Sequence, residues 1–218
     1  HPANTTVYPN EMMAVNIQPP DFELFCFEET IESASAIDHR GVDVTKDISA
    51  IDRRYAGATQ PDRRFIGFAE DHFVEIDFAD RLASLSPKTR LVLFMQGWVE
   101  YGYSSTNFAA GQAKMRLKAP SISAFRRGKW VELYHEVGYP AGISHMMTLD
   151  VTGRILPTDR KIRISSNMEL YWDRIFLAPV TEQNCLKIRE VSANSADLHF
   201  LGYPREYSPD GRHPNLYD

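Results

Sequence analysis

The chain has 218 residues and a mass of 24.9 kDa, enough to bury a full core in one large β domain or two small ones. Apolar residues make up 43% and charged residues 24%, a globular balance that excludes a disordered chain. Net charge is −5, from 29 acidic against 24 basic residues, which disfavours nucleic acid as a partner, and no apolar run is long enough to cross a membrane as a helix.

Residues 1–20 open HPANTT, with neither a basic start nor an apolar stretch, so no secretory leader is expected within them. Pro2, Pro9, Pro19 and Pro20 exclude a helix there and predict an extended arm or linker. Asn4-Thr5-Thr6 is the one N-x-S/T glycosylation acceptor. Residues 21–218 are expected to form a single domain. FELFCF within Asp21 to Glu28 predicts a first buried strand. Glu29 to Ile37 predicts one or two helical turns, His39-Arg40-Gly41 a turn, and Asp47 to Tyr55 a second short helix.

From Arg64 the pattern turns to β, with Phe73, Glu75 and Asp77 alternating against Val74, Ile76 and Phe78. Arg90 to Gly102 is apolar on both faces and predicts a central, doubly covered strand, in which Gly97 allows a bulge or a close backbone approach. Tyr101 to Ala113, YGYSSTNFAAGQA, predicts a loop. Lys114 to Lys118, Trp130 to Val137 and Met146 to Val151 predict strands, with a loop at GYPAG, Gly138 to Gly142. Lys161 to Ala178 predicts a hairpin: Ile162 and Ile164 alternate, SSN marks a turn, and Met168, Leu170 and Trp172 alternate again. The apolar phase slips after Asp173–Arg174, which predicts a bulge or a second buried face. Cys185 to Val191 and Asp197 to Gly202 predict two last strands, followed by a surface tail.

GWVEYGYSSTN, VGYPAG, MTLDVTGRI, IRISSNMELYWDRIFLA and ADLHFLGYPREYSPDGR occur in that order between Gly97 and Arg212. Together with DHRGVDVT at Asp38 to Thr45 and RFIGFAEDHFVEIDF, they resemble the C-terminal β-rich region of bacterial exported proteins. Those proteins carry FG-GAP (VCBS) propeller repeats with an ASPIC/UnbV segment, similar to cartilage acidic protein, or tetratricopeptide repeats. The resemblance covers most of Asp38 to Arg212. It implies an extracellular or periplasmic accessory domain and supplies no catalytic residue. The Asp-rich calcium loops of such propellers are not found in this sequence.

The residues themselves carry little catalytic signal. None of the seven histidines sits in H-x-x-x-H or H-E-x-x-H spacing, although His135, His145 and His199 all lie on predicted strands. There is no G-x-S-x-G nucleophile turn. No catalytic residue, metal ligand set or cofactor is therefore assigned. An enzyme remains the alternative: His1 on a β-sandwich resembles the copper brace of lytic polysaccharide monooxygenases, in which the terminal amine and two imidazoles hold copper. Cys26 and Cys185 are either buried thiols or one disulfide. Closing so long a loop contributes roughly 4–5 kcal/mol in the chain-entropy account.

Trp98, Tyr101, Tyr103 and Asn107 are the candidate ligand-binding residues, because flat rings with polar tips suit sugar faces and protein surfaces alike. The expected fold is all-β: an antiparallel sandwich of jelly-roll, galactose-binding-like type with a few short helical turns. The expected role is a non-catalytic exported domain for adhesion, assembly or contact with a glycan or protein. Self-assembly through residues 1–20, added to a neighbour's sheet edge, is one form of it.

Overall fold

The computed structural model describes residues 25–181, 194–195, 197–200 and 202–218. The chain divides into two compact units, Phe27–Val180 and a second made of His1–Cys26 with Thr181–Asp218. In chain order the strands are β1 (Ile31–Glu32), β2 (Ser35–Asp38), β3 (Ala56–Gly57), β4 (Phe68–Asp77), β5 (Leu91–Val99), β6 (Ser121–Arg126), β7 (Lys129–Tyr134), β8 (His145–Asp150), β9 (Lys161–Met168), β10 (Leu170–Pro179), β11 (Glu206–Tyr207) and β12 (Leu216–Tyr217). One α-helix, α1 (Ser104–Gln112), and a 3-10 turn at Lys46–Ile48 complete the described elements.

The larger unit is an antiparallel β-sandwich. Its first sheet runs β1-β10-β5-β8, with β3 also on β10; its second runs β2-β4-β9-β6-β7. Successive strands cross between the sheets, β4 to β5, β7 to β8 and β9 to β10, the winding of a jelly roll. Between the sheets lies one apolar core, in which Val74, Ile76, Ile162 and Ile164 of one sheet meet Leu93, Met95, Trp172, Ile175 and Leu177 of the other. Each fully buried side chain of this size contributes about 1.5–3 kcal/mol. In the smaller unit β11 and β12 form a hairpin, and Cys26 pairs with Thr181, whose N–H donates to the Cys26 carbonyl at 2.9 Å. Cys26 is disulfide-bonded; Cys185, the chain's other cysteine, lies outside the described residues.

β5 is buried at all nine positions, as its double-faced apolar run implies. Gly97 in it faces Trp172, and a Cβ there would collide with the Tyr171 carbonyl and the Trp172 ring. Pairing of β10 with β5 shifts between Trp172 and Arg174, which makes Asp173 the bulged residue.

The predicted hairpin is corrected. β9 runs straight through Ser165, Ser166 and Asn167, and β10 then starts in the opposite sheet. Ser166 keeps the inward phase because its hydroxyl donates to the Lys118 carbonyl at 2.8 Å and accepts from the Met168 N–H at 3.0 Å. Glu29 to Ile37 is likewise not helical: it holds β1 and β2, on edges of the two sheets. No strand forms over 114–118, where Lys118 N–H instead bonds the Asn167 side chain, nor over 197–200. The expected strand at Cys185 to Val191 and the arm 1–20 lie outside the described residues.

Candidate binding site at the end of the sandwich

β10 rises from Leu170 to Pro179, ten residues or about 30 Å. Val180, bonded to the Arg90 carbonyl, and Phe27, whose ring lies against Phe94 and Phe176, place the chain's exit and entry toward the Pro179 end. The opposite end, here the tip, carries α1, the loop 58–67 and the loop 135–144.

Backbone bonds hold the tip together. Glu100 N–H donates to the Glu169 carbonyl, and Glu169 N–H to that of Gly67, both at 2.9 Å. Gly67 (φ +88°) lies so close to Gly102 that a Cβ on it would collide with the Gly102 N–H. This close approach sets loop 58–67 beside the entry to α1. The predicted loop over Tyr101 to Ala113 is in fact helical over nine residues. Its sequence has no apolar stripe and only Ala110 is buried, so periodicity gives no helix signal. Its end is a Schellman motif: Met115 N–H donates to the Ala110 carbonyl, Lys114 N–H to that of Gly111, and Lys114 takes φ +59°.

Tyr101, Tyr103 and Asn107 gather at the start of α1. Tyr103 occupies the N-cap position and is 67% exposed. Asn107 Nδ2 donates to the Gly102 carbonyl at 3.3 Å. Tyr101 meets the Tyr139 ring edge-on at 6.4 Å. Burial pushes the Tyr101 hydroxyl up, against a hydrogen bond from the Gly142 backbone. Trp98 lies deeper: 7% exposed, it stacks on Tyr171 at 4.7 Å and meets Tyr55 edge-on.

The sequence reading missed four exposed apolar side chains at this end: Phe108, 69% exposed, with Ile66, Tyr139 and Ile143. Tyr139 was legible as an aromatic inside a Gly/Pro loop; Phe108 was not, because only the helix turns it outward. Charged partners ring the surface, with Arg64 on Asp62 at 2.9 Å and Arg116 on Glu136 at 3.0 Å.

Among the described residues no group of three or more His, Cys, Asp or Glu side chains could hold a metal ion. His135 lies 3.4 Å from Glu132 and His145 2.8 Å from the Ile143 carbonyl, each with its own neighbour; His199, in the smaller unit, lies 3.1 Å from Asp197. His1 and Asn4 lie outside the described residues. No described helix is long and apolar enough to cross a membrane. A shallow apolar pocket of about 30 Å³ lies between loops 82–91 and 153–157, at the base, with room for one or two waters. Comparison with protein-family models, with curated proteins and with solved structures finds no match to this chain.

Proposed function

We propose that the chain is a non-catalytic, exported contact module that binds a glycan or protein surface through the tip of its sandwich. The observation that carries this reading is position: exposed Tyr101, Tyr103, Phe108 and Tyr139 share the end opposite the chain's entry and exit. Exposed rings supply apolar faces, and the hydroxyls of Tyr101, Tyr103 and Tyr139 supply polar tips beside them. The disulfide at Cys26 supports an extracellular or periplasmic location, since such bonds persist in oxidising compartments. So does the ordered resemblance to exported FG-GAP and ASPIC/UnbV proteins. Self-assembly through residues 1–20 belongs to the same proposal, and deleting them is expected to abolish it.

The test is a glycan array and affinity electrophoresis in soluble polysaccharides, run on the full chain. Tyr103→Ala and Phe108→Ala are expected to weaken any observed binding at least about tenfold, or 1.4 kcal/mol. Binding that survives both changes, with unaltered affinity, removes the tip as the contact surface.

A further inference from the structure

We propose that His72, with His39 and Glu70, forms an acid-released latch on loop 58–67, one wall of the tip. Loop 58–67 hangs on the first residues of β4. Asp62 N–H donates to the Phe68 carbonyl at 2.8 Å, and Glu70 N–H to that of Gln60 at 3.3 Å. The Glu70 carboxylate accepts the Thr59 N–H at 3.0 Å, the Thr59 hydroxyl at 2.7 Å and the Gln60 N–H at 3.0 Å. Pairing of β4 with β9 is irregular between Phe68 and His72, so this part of the strand has weak ladder support.

His72 is 4% exposed. Its Nδ1 lies 2.9 Å from the Glu70 carbonyl, which fixes the neutral ring's proton there and leaves Nε2 to take the second. His39 packs its ring 6.2 Å away, with Nε2 at 3.3 Å from Glu70 Oε1 and Nδ1 buried without a partner. The titratable groups acting on His72 are Glu70, His39 and Asp71; Asp71 is itself paired with Lys118 at 2.8 Å. From β9 the residue opposite is the neutral Ser166, and Arg163, over the Phe73 ring, is held by Glu75.

Burial, above all, holds His72 below the usual imidazole value of 6.5. Folding therefore favours its neutral form. The stability this contributes is complete above pH 6.5 and is lost as pH falls through the depressed value. Burial alone would raise Glu70, but its bonds from Thr59 and Gln60 hold it below the usual carboxylate range. A positive charge on the buried His72 is relieved most cheaply by local opening where the ladder is weakest. The consequence for ligand contact rests on the tip reading; the latch does not.

Hydrogen exchange on the full chain between pH 7.5 and 5 tests it without any ligand, so its failure is separate from failure of the contact reading. After correction for intrinsic rates, protection at the Asp62, Phe68 and Glu70 amides is expected to fall at least tenfold more than at Val74 and Ile76. His72→Leu is expected to keep these amides protected at pH 5. Level protection in the wild type, equal loss throughout β4, or an unchanged pH response in His72→Leu overturns the proposal. Should His72→Leu fail to fold, the wild-type His72 imidazole is titrated by NMR. Its midpoint is expected to coincide with the loss of loop protection, and separate midpoints overturn the latch.

Discussion

The two sheets of the sandwich share one core but finish their outer faces differently. On the first sheet the outer face is mainly apolar and aromatic: Phe94 stacks on Phe176 at 4.8 Å, Trp98 on Tyr171, and Val92 and Ala178 are fully buried, with Arg174, over the Phe176 ring and paired with Glu32, as its charged member. On the second, the outward positions of β9 are only half-buried and are polar or charged. Arg163 lies 3.8 Å above the Phe73 ring and 4.0 Å from that of Trp130, and Lys161 and Arg163 both bond Glu75 at 3.0 Å. Burial would raise Glu75, but these two cations more than offset it and hold it below the usual carboxylate range. One sheet is thus anchored on both faces, while the other is anchored on one face and laced on the other. An outer-face truncation should therefore cost a core-like amount in the first sheet and much less in the second.

Phe94→Ala tests the first half and carries the largest expected effect, about 3–5 kcal/mol, read as a shift in the urea midpoint. A loss under 1 kcal/mol would show that this outer face is not a second core. Next is Asp173, 1% exposed at the β10 bulge, which accepts the Asp52 and Arg53 N–H groups at 3.2 and 3.1 Å. Burial pushes its carboxyl up to about 6. Its stabilising contribution is complete below 3.8 and is lost as pH rises through about 6, a change of roughly 3 kcal/mol. Asp173→Asn should remove that slope from stability measured between pH 4 and 7. His72, on the other sheet, gives the opposite slope, so the two variants separate the sheets by sign.

Arg163→Ala tests the laced face. It loses a stacked guanidinium but leaves Glu75 with Lys161, for about 1–2 kcal/mol by denaturant midpoint. A loss matching that of Phe94→Ala would erase the contrast. The smallest effect lies outside both sheets: Lys114→Gly should relieve the left-handed backbone at the end of α1 and raise stability by about 1 kcal/mol or less, read as a higher melting temperature.

What was legible in the sequence followed from apolar phase. β5 announced its double cover because no position in it is charged, and the bulge at Asp173 showed as a slip between Trp172 and Ile175. Phase failed where a polar group occupies an inward position with a private partner. Ser166 reads as a turn residue until its bond to the Lys118 carbonyl is seen, and that bond joins residues 48 apart in sequence. It failed again at α1, a helix fixed by its ends and by the packing of Gly102 against Gly67 rather than by an apolar face. The tip was therefore half legible: Tyr101, Tyr103 and Asn107 stand close together in sequence, whereas Ile66, Tyr139 and Ile143 reach the same end only through the crossing of strands between sheets.

The pairing of Cys26 with Thr181 has a consequence for chain economy. These residues immediately precede and follow the sandwich in sequence, and their backbones are joined by a hydrogen bond. To any polypeptide that carries it, the whole sandwich is one long excursion whose ends meet. Its insertion into a host turn would demand little more closure entropy than the turn already spends, since that cost grows only with the logarithm of loop length. Such a unit is transplantable, because the two ends that a host chain must join are already side by side.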